Sequence, residues 1–268
     1  MRELDTGTAD FTARIDDRIA ILTMSRPERR NALSVEMLTA MSRVIPAAAA
    51  DPGVRCVVLT GAGGAFCAGG DVKAFASGAG LEGTFDDRVR EQQYMHRHVA
   101  LALYEMAKPT VAVLPGPAAG AGLSFALACD LRYAVDTAVL TTAFARVGLS
   151  GDFGGSWLLT QIVGTARARE LFYLSPRVEA AQALELGLLT GVFPASELEP
   201  AAMKIAAELA GGPSAAFGYM KANLNRALTH SLPDYLDIEA IGQIRCRDTA
   251  DHHEAAAAFA EKRLPKFS

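Results

Sequence analysis

Cysteine is scarce in this 268-residue chain: Cys56, Cys67, Cys129 and Cys246 lie far apart and form no C-x-x-C pair. That spacing offers no thiolate metal site and no disulfide framework, so the expectation is free thiols in a reducing cytoplasm and no bound metal. An excess of positive charge is also missing. With a net charge of −4 the chain presents no broad basic surface for nucleic acid, although a small basic pocket for phosphates stays compatible with it. Met1–Asp17 carries Glu3, Asp5 and Asp10 and lacks the apolar core of a signal peptide. No uninterrupted membrane span is present either. Pro109–Cys129 contains no charge, but Pro115, Gly116 and Pro117 break its middle, where a helix in lipid would lose backbone hydrogen bonds that nothing replaces. It reads as a buried strand, a turn and a buried helix, and no membrane partner is expected.

What the chain does have is apolar residues in quantity, at 50%, with 21% charged, which is enough for a sizeable core. Arg18–Met24 reads as a strand that ends at Arg26-Pro27. Ser34 is placed to cap a helix from Val35 to about Ala49, with Leu38, Met41 and Ile45 on one face. Val54–Thr60 predicts a buried strand, and Phe85–Ala107 one long amphipathic helix. A second cycle follows: strand Thr110–Leu114, a glycine-rich turn, a helix to about Ala128 and strand Leu131–Val135. This alternation predicts an α/β fold with largely parallel pairing. After Leu198 the pattern is helical only, with helices expected over Glu199–Leu209, Ala215–Ala227 and Asp248–Arg263. A division into a core, 1–199, and a helical C-terminal part, 200–268, is expected.

Two turns concentrate the glycine. Gly61–Asp71 (GAGGAFCAGGD) follows one strand directly, and Gly116–Gly122 (GPAAGAG) follows another. The first lacks the Lys-Ser/Thr of a phosphate-binding P-loop, and the second has no acidic residue placed for a ribose. On the residues alone, these glycines serve either tight packing or the close approach of backbone to a ligand.

The segments in combination carry more. Arg26-Pro-x-x-x-Asn31-Ala32-Leu33, Ala65-Phe-Cys-Ala-Gly-Gly-Asp71, Lys108-Pro109 leading to Gly116–Gly122, and Cys129-Asp130 resemble the crotonase superfamily of enoyl-CoA hydratases and isomerases. Gly154-Gly155-Ser156, Ala180-x-x-Ala183-x-x-x-Gly187-Leu188 and the tail Phe259–Phe267 extend the resemblance from about residue 11 to the end. It implies a crotonase-like spiral of ββα repeats with a helical C-terminal assembly region, forming homotrimers or dimers of trimers. It also implies an acyl-CoA substrate, with coenzyme A as part of the substrate and no prosthetic group. Two backbone N–H groups, those of Gly70 and Ala121, would form an oxyanion hole for the thioester, which two fixed amide donors and a helix dipole suit.

The resemblance also exposes a departure. Hydratases of this superfamily use two glutamates, since water must lose a proton as it attacks and the neighbouring carbon must gain one. Those positions fall on Ser124 and Phe144 here, and neither side chain can exchange a proton at neutral pH. Asp152, in Gly148-Leu-Ser-Gly-Asp-Phe-Gly-Gly-Ser-Trp157, falls where several isomerases carry their sole acid or base, and the segment is most similar to the isomerases of phenylacetate catabolism. One base is enough to remove a proton from C2 or C4 and return it to the other carbon, provided the site is dry; Phe144, Phe153 and Trp157 are expected to supply that dryness. The residues alone leave a second reading for Asp152, a turn or N-cap aspartate before a helix starting near Gly155.

The expected activity is therefore an acyl-CoA isomerase. The alternatives are an enoyl-CoA hydratase with a nonstandard acid, a non-catalytic acyl-CoA scaffold, and an aryl-CoA dehalogenase with His96 or His98 beside Asp152. For the coenzyme, Arg26 and Arg30 (with Arg29) are candidate phosphate contacts. Lys262 is a candidate for the ribose phosphate, on a neighbouring subunit, and Phe66 and Ala68 border the adenine turn. Phe75–Asp87, rich in Gly and Ser, is expected to shape the acyl pocket.

Overall fold

The computed structural model of the chain describes residues 1–76 and 82–268. A seven-stranded sheet organises the fold. Its strands are β1 (Arg2–Leu4), β2 (Phe11–Asp16), β3 (Ile19–Met24), β4 (Cys56–Gly61), β5 (Thr110–Leu114), then β7 (Leu131–Val135) and β10 (Gly191–Phe193) in that spatial order; β6 (Ala118–Ala119), β8 (Val139–Thr141) and β9 (Val178–Glu179) form a small second sheet. β1, β2 and β3 pair antiparallel, and from β3 onward the pairing is parallel, with Thr60 opposite Val113 and Val113 opposite Tyr133. β4 and β5 are buried along almost their whole length, which is why both read as continuous apolar runs rather than alternating ones.

Helix α1 (Val35–Ala50) begins as the sequence predicts: the Ser34 hydroxyl accepts from the Met37 N–H at 3.1 Å. Its C-terminal carbonyls are satisfied by Lys108, whose Nζ donates to Ala48 O (2.8 Å) and Asp51 O (2.6 Å); burial holds that ammonium's pKa below its usual value. Short α2 (Val72–Ala76) follows the first glycine turn. The long helix expected over Phe85–Ala107 is instead three pieces, α3 (Phe85–His96), a π-turn at Arg97–Leu101 and α4 (Ala102–Glu105). The π-turn inserts an extra residue and rotates the face presented by His96 relative to that of Tyr104. Residues 77–81, within the expected pocket-shaping loop, lie outside the described residues.

Helix α5 (Ala121–Ala128) is buried on every side, α6 (Gly155–Leu174) bends at Gly164, and α7 (Ala180–Glu185) leads into β10. Helix α8 (Ala195–Ala210) lies on the sheet and buries Leu198, Ala202, Ala206 and Ala210, so the expected boundary at 199/200 falls inside an element of the core. Beyond it come α9 (Ser214–Ala227), α10 (Leu232–Arg247) and α11 (Ala250–Glu261). Helix α10 lay outside the sequence reading because its apolar residues favour no single face. Among the described residues no helix is long and apolar enough to cross a membrane.

One polar contact pins the helical tail to the core. Lys221 on α9 is 8% exposed, and its Nζ donates to Leu103 O (2.9 Å), Lys108 O (3.2 Å) and Asp130 Oδ2 (2.9 Å). Replacing a buried, paired ammonium with a short apolar side chain strands its partners. Lys221→Ala is expected to lower stability by about 3 kcal/mol, measured by urea unfolding. Burial raises the thiols of Cys56, Cys67 and Cys129 to about 12. They therefore stay protonated at pH 8, and a thiol reagent is expected to label no more than Cys246 until the protein is unfolded.

Candidate active site

The two glycine turns leave β4 and β5, neighbouring parallel strands, at the same edge of the sheet. Backbone hydrogen bonds stitch them together: Phe66 N–H donates to Pro117 O at 3.0 Å, and Ala119 N–H donates to Cys67 O at 2.9 Å. A Cβ at Gly122 would sit 2.5 Å from the Cys67 carbonyl oxygen, and one at Gly116 would sit 2.0 Å from that of Gly64. Glycine is therefore required at both places by packing between the turns. At Gly69 (φ +85°) the positive φ joins a close approach to Ala119 O, and at Gly120 (φ +53°) the positive φ alone favours glycine.

Asn31 holds the first turn from behind. Fully buried, it donates from Nδ2 to the carbonyls of Ala62 (2.9 Å) and Ala65 (2.8 Å), and its Oδ1 accepts from Arg26 N–H. This organising residue was visible in the sequence only as part of a motif; its left-handed φ of +56° is a tertiary fact. The result is that Gly70 and Ala121 both line one cavity of about 390 Å³, and neither N–H donates to an acceptor among the described residues. Ala121 is the first residue of α5, where helix geometry leaves the N–H free and the dipole is positive.

Asp152 lines the same cavity, with Phe144, Phe153 and Ala68. It is not an N-cap. Helix α6 is preceded by Gly154 with no side-chain cap, and only the Asp152 carbonyl takes part, accepting from Gly155 N–H at 3.0 Å. Three groups instead meet the Asp152 carboxylate at one oxygen, Oδ1: Gln92 Nε2 and Phe153 N–H donate to it at 2.7 and 2.9 Å, and His96 Nε2 lies 2.5 Å from it. Oδ2 has no partner among the described residues. Its side chain is 30% exposed, so the site is not closed to water around it. Gln92 was not anticipated; it lies one helical turn before His96, a spacing that could have suggested a shared target.

Several expected contacts fall elsewhere. Ser124 does not line the cavity: it is buried, and its Oγ donates to Asp152 O at 2.9 Å, tying the Asp152 loop to α5. A Cβ at Gly155 would lie 2.3 Å from that hydroxyl oxygen, so the Ser124 side chain needs glycine at 155. Phe144 is stacked on Phe172 (5.8 Å between centroids). Trp157 faces away, 42% exposed and edge-on to Tyr104, and adds nothing to the dryness of Asp152. His96 touches Asp152 directly, whereas His98 stacks on Tyr94. Phe66 is fully buried in the core and cannot touch a ligand. Arg26 lines the cavity but is committed to Asp10 (3.3 Å), Asp71 (3.5 Å) and the Ala32 carbonyl. Arg30 and Lys262 are exposed; Arg30 O accepts from Ala68 N–H, and Lys262 ends α11, outside the cavity lining. Glu36 and Asp71 are further carboxylates at the cavity. Glu36 sits on the exposed first turn of α1, and Asp71 is engaged by Arg26.

Two free backbone N–H groups at the carboxyl ends of parallel strands, in one cavity with the Asp152 carboxylate, suit an enzyme that works on a carbonyl compound. Residues 14–268 match the enoyl-CoA hydratase/isomerase family, and the chain belongs to it. It is 37% identical over 254 residues to a "Probable enoyl-CoA hydratase" of Rhodobacter capsulatus, covering 95% of this chain and 96% of that one. It is 34% identical to the 1,2-epoxyphenylacetyl-CoA isomerase of Escherichia coli K12, with the same coverage. Among solved structures, an enoyl-CoA hydratase from Polaromonas sp. JS666 superposes with a TM-score of 0.89 at 32% identity, covering 96% of this chain and 99% of that one.

The close approach of the turns gives a direct test of the oxyanion frame. Gly122→Ala must push Cys67 away from α5 and separate the two donors. A fall in kcat of at least about 100-fold is expected, the cost of losing one such donor, with a far smaller change in KM. Steady-state kinetics on any accepted thioester measures it.

Proposed function

We propose that the protein is an acyl-CoA isomerase that shifts a double bond, or rearranges an unsaturated acyl thioester, through an enolate. The observation that carries this reading is the Asp152 carboxylate, held at Oδ1 and without a partner at Oδ2 among the described residues, in a cavity that also holds the two free N–H groups. Asp152 takes a proton from C2 or C4 of the acyl group. The electron pair moves onto the thioester oxygen, where Gly70 and Ala121 N–H stabilise the charge. The protonated Asp152 then returns the proton to the other carbon, and the conjugation changes with no net gain or loss of atoms. Gln92, His96 and Phe153 N–H hold Oδ1 so that Oδ2 faces the substrate.

Two-glutamate hydration finds no support in this cavity, because Ser124 is tied to the Asp152 loop and Phe144 is packed on Phe172. The likeness to the Escherichia coli isomerase supports the isomerase reading. The likeness to the Rhodobacter protein keeps hydration of a 2-enoyl thioester as the second reading. On this proposal Arg30 and Lys262 meet coenzyme A phosphates. The exposed apolar residues of α9–α11, among them Leu224, Leu236 and Phe259, are covered by further copies in a trimer or dimer of trimers.

Conversion of a 3-enoyl-CoA to the 2-enoyl isomer is the expected activity. Asp152→Asn is expected to lower it by about 10²–10⁴, the range for losing a positioned acid/base, with thioester binding retained. Equal rates for wild type and variant, or addition of water to a 2-enoyl-CoA faster than the double-bond shift, would displace the proposal.

A further inference from the structure

A second, larger cavity of about 640 Å³ lies directly behind the catalytic one. Its walls come from the π-turn and α4 on one side, the start of α6 on another and the end of α9 on the third. Leu101, Tyr104, Trp157 and Leu158 make it largely apolar, and the buried Tyr104 hydroxyl has no partner among the described residues. Phe153 is the one residue that lines both cavities. Its ring is 2% exposed and is clamped edge-on between Phe125 (4.7 Å) and His96 (4.9 Å). Beside it the His96–Asp152 pair completes the partition.

The backbone at Phe153 is held in the left-handed region, φ +48°, an unusual conformation for an aromatic residue. Glycines with positive φ at Gly151 and Gly154 bracket it, and the bonds from Ser124 and Phe153 N–H to Asp152 lock it. The turn that aims Asp152 into the inner cavity therefore sets Phe153 across its rear wall. Since an acid/base must reach carbons next to the carbonyl, the acyl group lies on the Asp152 side and meets Phe153 next.

We infer that Phe153 is a specificity-determining partition: it confines the acyl group to the inner cavity, so that the enzyme takes short or compact acyl-CoA thioesters, and its removal opens the apolar outer cavity to long chains. This rests on the reading that the cavity binds an acyl-CoA thioester, but not on whether the bound thioester is isomerised or hydrated.

The test is calorimetric binding of saturated butyryl-, octanoyl- and dodecanoyl-CoA, which needs no turnover. Wild type is expected to gain little affinity from butyryl to dodecanoyl. Phe153→Ala is expected to bind dodecanoyl-CoA at least tenfold more tightly than wild type does, since each methylene newly buried contributes about fourfold. Phe153→Leu, which keeps an apolar side chain in the core, should show a smaller gain of the same sign and guards against misfolding of the alanine variant. Adding Leu101→Arg to Phe153→Ala places a charge in the outer cavity and should abolish the gain. A steep increase with chain length in wild type, or an unchanged length profile in both Phe153 variants, overturns the partition while leaving the acyl-CoA reading intact. Failure of every thioester to bind overturns both.

Discussion

The contact between the two glycine turns is closer than any pair of side chains would allow. Hypothetical Cβ atoms at Gly116, Gly122 and Gly69 would fall 2.0, 2.5 and 2.8 Å from backbone oxygens of the opposite turn. What brings the turns together is the parallel pairing of β4 with β5, which delivers both chain segments to the same edge of the sheet. What keeps them there is backbone hydrogen bonding from one turn to the other, backed by the Asn31 amide. Two residues whose N–H groups have no acceptor among the described residues, Gly70 and Ala121, then line one cavity on segments bonded to each other. Such preorganisation is what makes amide donors effective against developing charge, since nothing has to reorient during the reaction.

The acid beside this frame is positioned by a different logic. The loop from Gly148 to Gly155 carries positive φ at Gly148, Gly151, Phe153 and Gly154. Left-handed backbone at a bulky residue costs of order 1–3 kcal/mol and persists only where the surroundings over-determine it. Here the surroundings are the Ser124 hydroxyl on the Asp152 carbonyl, three groups on Oδ1 and the aromatic clamp on Phe153. Ser124 and Gly155 are mutually constrained, because the hydroxyl occupies the place of a Gly155 side chain. A position where hydratases of the family are expected to carry a glutamate has thus become part of the support of another carboxylate.

The helical C-terminal part depends on the core through polar groups as much as through apolar ones. Lys221 reaches the Asp130 carboxylate and two backbone carbonyls, and Arg55 donates to Ser214 Oγ and Gly212 O at 2.6 Å each. Arg55 thus holds the start of α9, while Lys221 on Leu103 O and Asn225 Nδ2 on Tyr104 O (3.0 Å) set the rest of that helix against α4, where it forms one wall of the outer cavity.

The strands and most helices were legible in the sequence because their signals are local. Thr110–Leu114 is a β-branched and apolar run, and Ser34 caps α1 through an atom three residues away. The glycine turns and Asp152 were legible as well, once motifs were taken in order along the chain. Tertiary structure alone decided which neighbours each residue met. A π-turn breaks the helix over Phe85–Ala107, His96 before it meets Asp152, and Tyr104 after it lines the outer cavity with Trp157 of α6. Phe66 went to the core, Arg26 to two aspartates and Ser124 beneath the Asp152 loop, because burial and pairing are settled by segments distant in sequence. Residue types and spacings carried the family; the distances within the cavity exist only when strands far apart in the chain lie side by side.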